Sequence, residues 1–199
     1  MKKSYLPPST FRTNAWANGT TTELLKYPPE SDFLKRDFTF RISTATVEAE
    51  ESTFSDFSGL TRILMVLEGS ITLIHEGRYK KLLAPYEQDT FDGAWSTRSI
   101  GKVRDFNVMC NDQATASLRA YTLEKGSSKE LSTSSSRVVL FVHAGQFQCA
   151  NQLLETGSIL DLQEVSVASL TLTCLEAGTI LFTEVELGLK MVLKTKSKT

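Results

Sequence analysis

The chain has 199 residues, 41% of them hydrophobic and 23% charged, with 22 Lys+Arg against 23 Asp+Glu. That is apolar material for one large core or two smaller ones, which excludes a disordered chain, and the lack of a basic excess argues against a nucleic-acid partner. No apolar run approaches the roughly 20 residues that cross a bilayer, and no apolar stretch follows Lys2 and Lys3 as in a signal peptide, so a soluble cytoplasmic protein with no membrane partner is expected.

In chain order, the first local signal is Trp16-Ala17-Asn18-Gly19, an Asn-Gly turn, followed by Thr20-Thr21-Thr22-Glu23. Residues 20–27 read as one or two helical turns that stop before Pro28-Pro29. Residues 38–43 alternate apolar and polar as a half-buried strand does, and 60–67 form a denser apolar run suited to a strand covered on both faces. Glu68-Gly69-Ser70 then reads as a hairpin turn into Ile71-Thr72-Leu73-Ile74-His75, and Glu76-Gly77-Arg78 as a second turn into 79–84. Further strands are predicted over 103–110, 117–123, 137–143, 158–162, 166–175 and 179–186. Between them, 126–136 is crowded with Ser and Thr and reads as an exposed connector, and the basic end at 194–199 reads as frayed. Many short strands and no sustained helical period predict an all-β sandwich or barrel.

Strand parity brings out the polar candidates. Arg41 and Ser43 share the face opposite Phe38, Phe40 and Ile42; Arg62 interrupts an apolar strand; Asp105 and Asn107 alternate with Phe106 and Val108. A guanidinium on such a strand is costly unless partnered. Two readings stand: internal pairing, for example Arg41 or Arg62 with Asp105, or a polar floor inside a barrel that clamps a carboxylate in bidentate fashion. In the second, Asn107 and Thr22 supply neutral donors, and the Asn18 loop offers backbone N–H groups. As a turn signal alone, the Trp16–Glu23 stretch favours the plainer reading of a cap on a barrel end.

His75 sits six positions after Gly69, where a metal-binding barrel places its first histidine, but Gly77 occupies the place of the second. Cys110, Cys149 and Cys174 are far apart and form no Cys-x-x-Cys pair, so they read as small buried hydrophobes. No metal and no other cofactor is expected. No nucleophile has a histidine beside it in sequence and no Gly-rich phosphate loop follows a strand, so no catalytic residue is assigned.

The ordered segments Trp16-Ala17-Asn18-Gly19, Thr21-Thr22-Glu23, Phe40-Arg41-Ile42-Ser43-Thr44-Ala45, Phe54-Ser55-Asp56-Phe57-Ser58-Gly59-Leu60-Thr61-Arg62 and Asp105-Phe106-Asn107-Val108-Met109 together resemble the HutD/Ves family. Thr20, Phe40, Ser58 and Thr61 depart from the family pattern, and the second half resembles it only in length and strand pattern. The resemblance implies a bicupin of two tandem RmlC-like jelly-roll barrels with few short helices, a small-molecule pocket in the first, and no established catalytic activity. It further implies either histidine utilisation, with binding of an intermediate such as formylglutamate, or the stress association of Ves proteins.

The expected organisation is therefore a barrel over 1–125, a connector over 126–136, and a smaller cupin-like unit over 137–199, completed by strands from the N-terminal segment if needed. The leading functional expectation is a non-enzymatic, regulatory binder of a small carboxylate through Arg41, Arg62, Asn107, Thr22, Asn18, Ser43, Asp105 and His75. The alternatives are a metal-independent isomerase or epimerase using His75 or Asp105 for proton transfer, and a structural module that forms a homodimer through its β edges.

Overall fold

Short β-branched and aromatic runs become strands throughout the computed structural model, which describes residues 1–165 and 168–188. Chain order begins with β1 (Lys2–Leu6) and one 3-10 turn at Pro8–Thr10. There follow β2 (Arg12–Trp16), β3 (Gly19–Tyr27), β4 (Phe40–Val47), β5 (Glu51–Thr53), β6 (Thr61–Gly69) and β7 (Ile71–His75). Next come β8 (Tyr79–Leu83), β9 (Gln88–Asp92), β10 (Thr97–Ile100), β11 (Val103–Cys110) and β12 (Ala114–Leu123). The last are β13 (Ser128–Thr133), β14 (Arg137–Cys149), β15 (Gln152–Glu155), β16 (Ile159–Gln163) and β17 (Ala168–Leu187).

The chain divides into two compact units, Phe11–Ala114 and a second made from Met1–Thr10 with the chain from Thr115 onward. In the Phe11–Ala114 unit a six-stranded antiparallel sheet runs β2-β3-β4-β11-β6-β9 and a four-stranded one runs β5-β10-β7-β8. Val47, Leu64, Val66 and Val103 from the first meet Ile71, Leu73 and Leu83 from the second in one apolar cluster. That contact orients the strands: the inner face of the larger sheet carries Val47, Leu64, Val66 and Val103, and period-two alternation puts Arg41, Ser43, Arg62, Asp105 and Asn107 on the same face. No ladder among the described residues joins the end strands, so the two sheets form an open sandwich rather than the closed barrel expected.

Two local expectations change here. Residues 20–27 are strand β3, because three successive β-branched threonines suit a pleated surface and β2 and β4 complete a ladder on both sides. Glu68-Gly69-Ser70 is a corner and not a hairpin: β6 pairs with β11 and β9, whereas β7 pairs with β10 and β8. Gly69 takes φ +80°, and a Cβ there would come within 2.4 Å of the Lys102 carbonyl oxygen, so the chain changes sheets at a residue that only glycine accommodates. The turn after His75 is a true hairpin, with His75 opposite Tyr79.

The second unit is built on the sheet β1-β16-β14-β17-β12, with β13 on β17 and β15 on β14. Its core gathers Val138, Leu140, Phe147, Leu160, Leu172 and Phe182. Strand β1 contributes by pairing along its whole length with β16. The stretch 126–136, read as a connector, contains β13: Leu131 pairs with Leu170 and packs into the core, while Glu130 accepts hydrogen bonds from Ser169 and Thr171. Composition misleads here because Ser128 and Ser132 occupy the solvent side of a paired strand, while Thr133 joins Leu131 on the buried side. The strands expected over 166–175 and 179–186 merge into β17, and Gly178 permits it, since a Cβ there would lie 2.0 Å from the Ala144 carbonyl oxygen. Residues 194–199 lie outside the described residues.

Candidate functional site

The inner face of the six-stranded sheet brings the two arginines to one row. Met109 on β11 pairs with Arg41 on β4 and with Arg62 on β6, so the guanidinium-bearing residues flank it on either side. Both arginines are buried, 5% and 6% exposed. Their partners differ.

Arg41 is neutralised. Its Nε donates to Glu23 Oε2 at 2.8 Å, its Nη1 donates to Ser43 Oγ at 3.1 Å, and the guanidinium lies 4.3 Å from the Phe33 ring centre. Glu23 also faces Lys26 Nζ at 3.3 Å. Burial works to raise the Glu23 pKa, but Arg41 and Lys26 outweigh it and hold the carboxyl below its ordinary value.

Arg62 has no direct carboxylate partner among the described residues. Its Nη2 donates to Asn107 Oδ1 at 2.9 Å, and its Nε, buried, has no hydrogen-bond partner. The Asn107 amide turns its Nδ2 toward Asp105 Oδ1, so an amide stands between the guanidinium and the acid. Three rings surround the cation, Phe54 at 4.8 Å, Phe91 at 5.1 Å and Phe57 at 5.5 Å. Burial lowers the Arg62 pKa to about 10 against the pull of Asp105, with Arg41 adding repulsion. Burial likewise raises Asp105 to about 7, opposed by Arg62, the Asn107 amide and the Ala45 N–H. At neutral pH the acid nearest Arg62 is thus only partly ionised.

The loop that carries two of the rings is tightly specified. Asp56 Oδ1 accepts from the backbone N–H and the hydroxyl of Ser58, turning the chain after Phe54. Phe57 N–H donates to Gly93 O, and a Cβ at Gly93 would lie 2.4 Å from the Phe57 carbonyl oxygen, so the loop seats directly on the backbone.

His75 lies in a second polar cluster. Its Nδ1 meets Thr97 Oγ1 at 2.8 Å and its Nε2 meets Asp89 Oδ2 at 3.1 Å; Tyr79 Oη and Lys81 Nζ also donate to Asp89. Phe91, 4.7 Å from the His75 ring, is also one of the Arg62 rings, so the clusters adjoin through an aromatic. With both nitrogens engaged and 1% exposure, His75 ties β9 of one sheet to β7 and β10 of the other.

Two expected members fall elsewhere. Thr22 sits on the opposite face of the sheet, paired with Thr44, and its hydroxyl bonds Thr13 Oγ1 at 2.7 Å. The cause is parity: it is Glu23 that shares a face with Ser43. Asn18 lines a separate polar cavity of about 260 Å³ with Glu51, Ser52, Thr53 and Arg98. Sequence reasoning did not assign Glu23, Asp89 or the rings of Phe33, Phe54, Phe57 and Phe91. Glu23 and the Phe54–Phe57 pair lie inside the ordered motifs; Asp89 and Phe91 come from β9, which left no strand signal.

All three cysteines are free and buried, and burial pushes the Cys110 thiol up to about 12 and Cys149 to about 11. Among the described residues no three His, Cys, Asp or Glu side chains are grouped to hold a metal ion, and no helix is long and apolar enough to cross a membrane.

The model of the HutD family matches residues 8–182. The conserved protein PA5104 of Pseudomonas aeruginosa superposes with a TM-score of 0.82 at 23% identity, covering 94% of this chain and 100% of that one. HutD from Pseudomonas fluorescens gives 0.76 at 20% identity, covering 94% and 99%. The nickel(II) complex of pirin YhhW from Escherichia coli gives 0.73 at 11% identity, covering 94% and 100%, so the fold is cupin-like. No curated protein matches the chain. With a family match spanning both units and most of the sequence, the chain belongs to the HutD family.

Proposed function

We propose that the Phe11–Ala114 unit binds a small carboxylate at Arg62, in a bicupin whose two units are both cupin halves and whose role is regulatory rather than catalytic. The observation that carries this reading is the buried guanidinium with an unpartnered Nε and an amide where an acid would neutralise it. A ligand carboxylate supplies the missing anion, and charge-assisted hydrogen bonds in a water-poor site are the strong ones. Asn107 and Ser43 are the neutral groups on the same face that select among acids, while Arg41 is already matched by Glu23 and leaves Arg62 as the anchoring cation. A proton-transfer role for His75 loses support because both ring nitrogens are already bonded.

Formate and N-formylglutamate are the probes: the P. fluorescens HutD structure is described for a formate condition, and formylglutamate is the ligand class the family resemblance implies. Thermal denaturation with each, and with formamide as the uncharged control, measures binding; a ligand at 100 times its Kd stabilises by about 2.7 kcal/mol. Saturable stabilisation by the acids alone, abolished in Arg62→Met, is expected. Stabilisation that survives Arg62→Met removes Arg62 from the site.

A further inference from the structure

At the free end of the six-stranded sheet, all five residues of β2, Arg12-Thr13-Asn14-Ala15-Trp16, are exposed, and among the described residues the strand pairs only with β3. The direction of its backbone groups follows from one bond. Glu48 N–H donates to Asn18 O at 2.8 Å, so in β3 the even positions next to the turn point toward β4. The odd positions Gly19, Thr21 and Glu23 therefore bond Trp16, Asn14 and Arg12, and the N–H and C=O groups of Thr13 and Ala15 point away from the sheet, unused. The other end of this sheet carries Asp89 and Asp92 on β9, and Lys80 and Lys81 charge the β8 edge, devices that discourage strand addition. The centre of β2, Thr13-Asn14-Ala15, has none.

We propose that β2 pairs antiparallel with β2 of a second copy of this chain, about a two-fold axis through Asn14. In that register Thr13 and Ala15 face each other as hydrogen-bonded pairs, so all four outward groups on each strand are satisfied. Asn14 meets Asn14 on the axis, amide to amide. Arg12 comes opposite Trp16 at both ends, as non-hydrogen-bonded pairs whose side chains lie closest, which sets a guanidinium over an exposed indole twice. The five residues are thus self-complementary in backbone polarity and in side-chain chemistry at one register, and a one-residue slip destroys both. The occupant is a second copy because the match is isologous.

Cysteine crosslinking reads this register. On the axis the Asn14 Cα atoms are about 4.5 Å apart, within disulfide range, whereas Thr13 faces Ala15 and not itself. Under mild oxidation Asn14→Cys is expected to run mostly as a covalent dimer and Thr13→Cys as monomer, the native cysteines being buried. Sedimentation equilibrium of the unmodified chain is expected to show twice the chain mass, with Ala15→Pro shifting the dissociation constant at least tenfold weaker. That proline removes an outward N–H and leaves the β2–β3 ladder intact, so its circular dichroism and melting temperature stay unchanged. Equal crosslinking at 13 and 14, or association unaffected by Ala15→Pro, overturns the proposal.

Discussion

Each unit buries an arginine near an aspartate on the neighbouring strand, and the two are resolved differently. In the second unit Arg137 donates through Nε and Nη2 to both oxygens of Asp161, at 2.8 and 2.7 Å, and Gln163 adds a third bond to the same carboxylate. In the Phe11–Ala114 unit Arg62 reaches Asn107, and Asp105 lies one amide further on. The ladders explain the contrast. Arg137 is directly opposite Gln163, so Asp161 is the diagonal neighbour two residues along; Arg62 is directly opposite Met109, and its corresponding diagonal neighbour is Asn107. Asp105 is two residues further, roughly 7 Å of strand. One residue identity, acid or amide at the diagonal position, separates a closed ion pair from an arginine bonded to an amide.

The largest expected effect is on the closed pair. Asp161→Ala removes the bidentate carboxylate from a buried guanidinium and is expected to destabilise the protein by about 3–5 kcal/mol in denaturant titration. Arg62→Met, by contrast, removes a cation with no carboxylate bonded to it. It should leave the melting temperature within a few degrees while weakening N-formylglutamate binding by about 2 kcal/mol, roughly 30-fold by calorimetry. Arg62→Lys should restore only part of this, because an ammonium lacks the planar fork.

Asn107→Asp tests the comparison in the other direction by giving Arg62 the diagonal acid that Arg137 has. Stability is expected to hold or rise, and carboxylate affinity to drop about tenfold, ~1.4 kcal/mol, as the site closes on its own anion. A variant that binds as tightly as the unaltered protein would separate ligand binding from the charge state of Arg62.

The most gradual effect is a pH slope. Burial raises Asp105 from its ordinary 3.8 to about 7, so between those values the folded state holds more protons than the unfolded one. Stability from this group is therefore complete below about pH 4 and is lost as pH rises through 7, by at most about 1.4 kcal/mol per pH unit. Asp105→Asn should flatten that slope; chemical denaturation at pH 5 and pH 8 on both proteins measures it. Parallel curves would assign the titration elsewhere.

In the first half β4, β6, β7, β8 and β11 were legible as strands, whereas β3 read as helix and β9 left no signal. Alternation over 38–43 and 103–110 became β4 and β11 and put Arg41, Ser43, Asp105 and Asn107 on one face, because a period of two survives any tertiary arrangement. Thr22 and Asn18 were less accessible. The side of a sheet that a residue takes after a turn depends on the turn's register, and neither motif membership nor closeness in sequence sets it.

By itself the sequence determined the all-β class, the polar face and the arginines that interrupt it, since these follow from local periodicity and residue chemistry. Which acid each arginine meets was a tertiary decision. Glu23 reaches Arg41 across 18 positions, Asn107 reaches Arg62 across 45, and the rings around Arg62 come from β9 and from the loop before β6. Such contacts are set by ladder registers between strands distant in the chain, and one residue of slip in any of them turns the side chain to the opposite face.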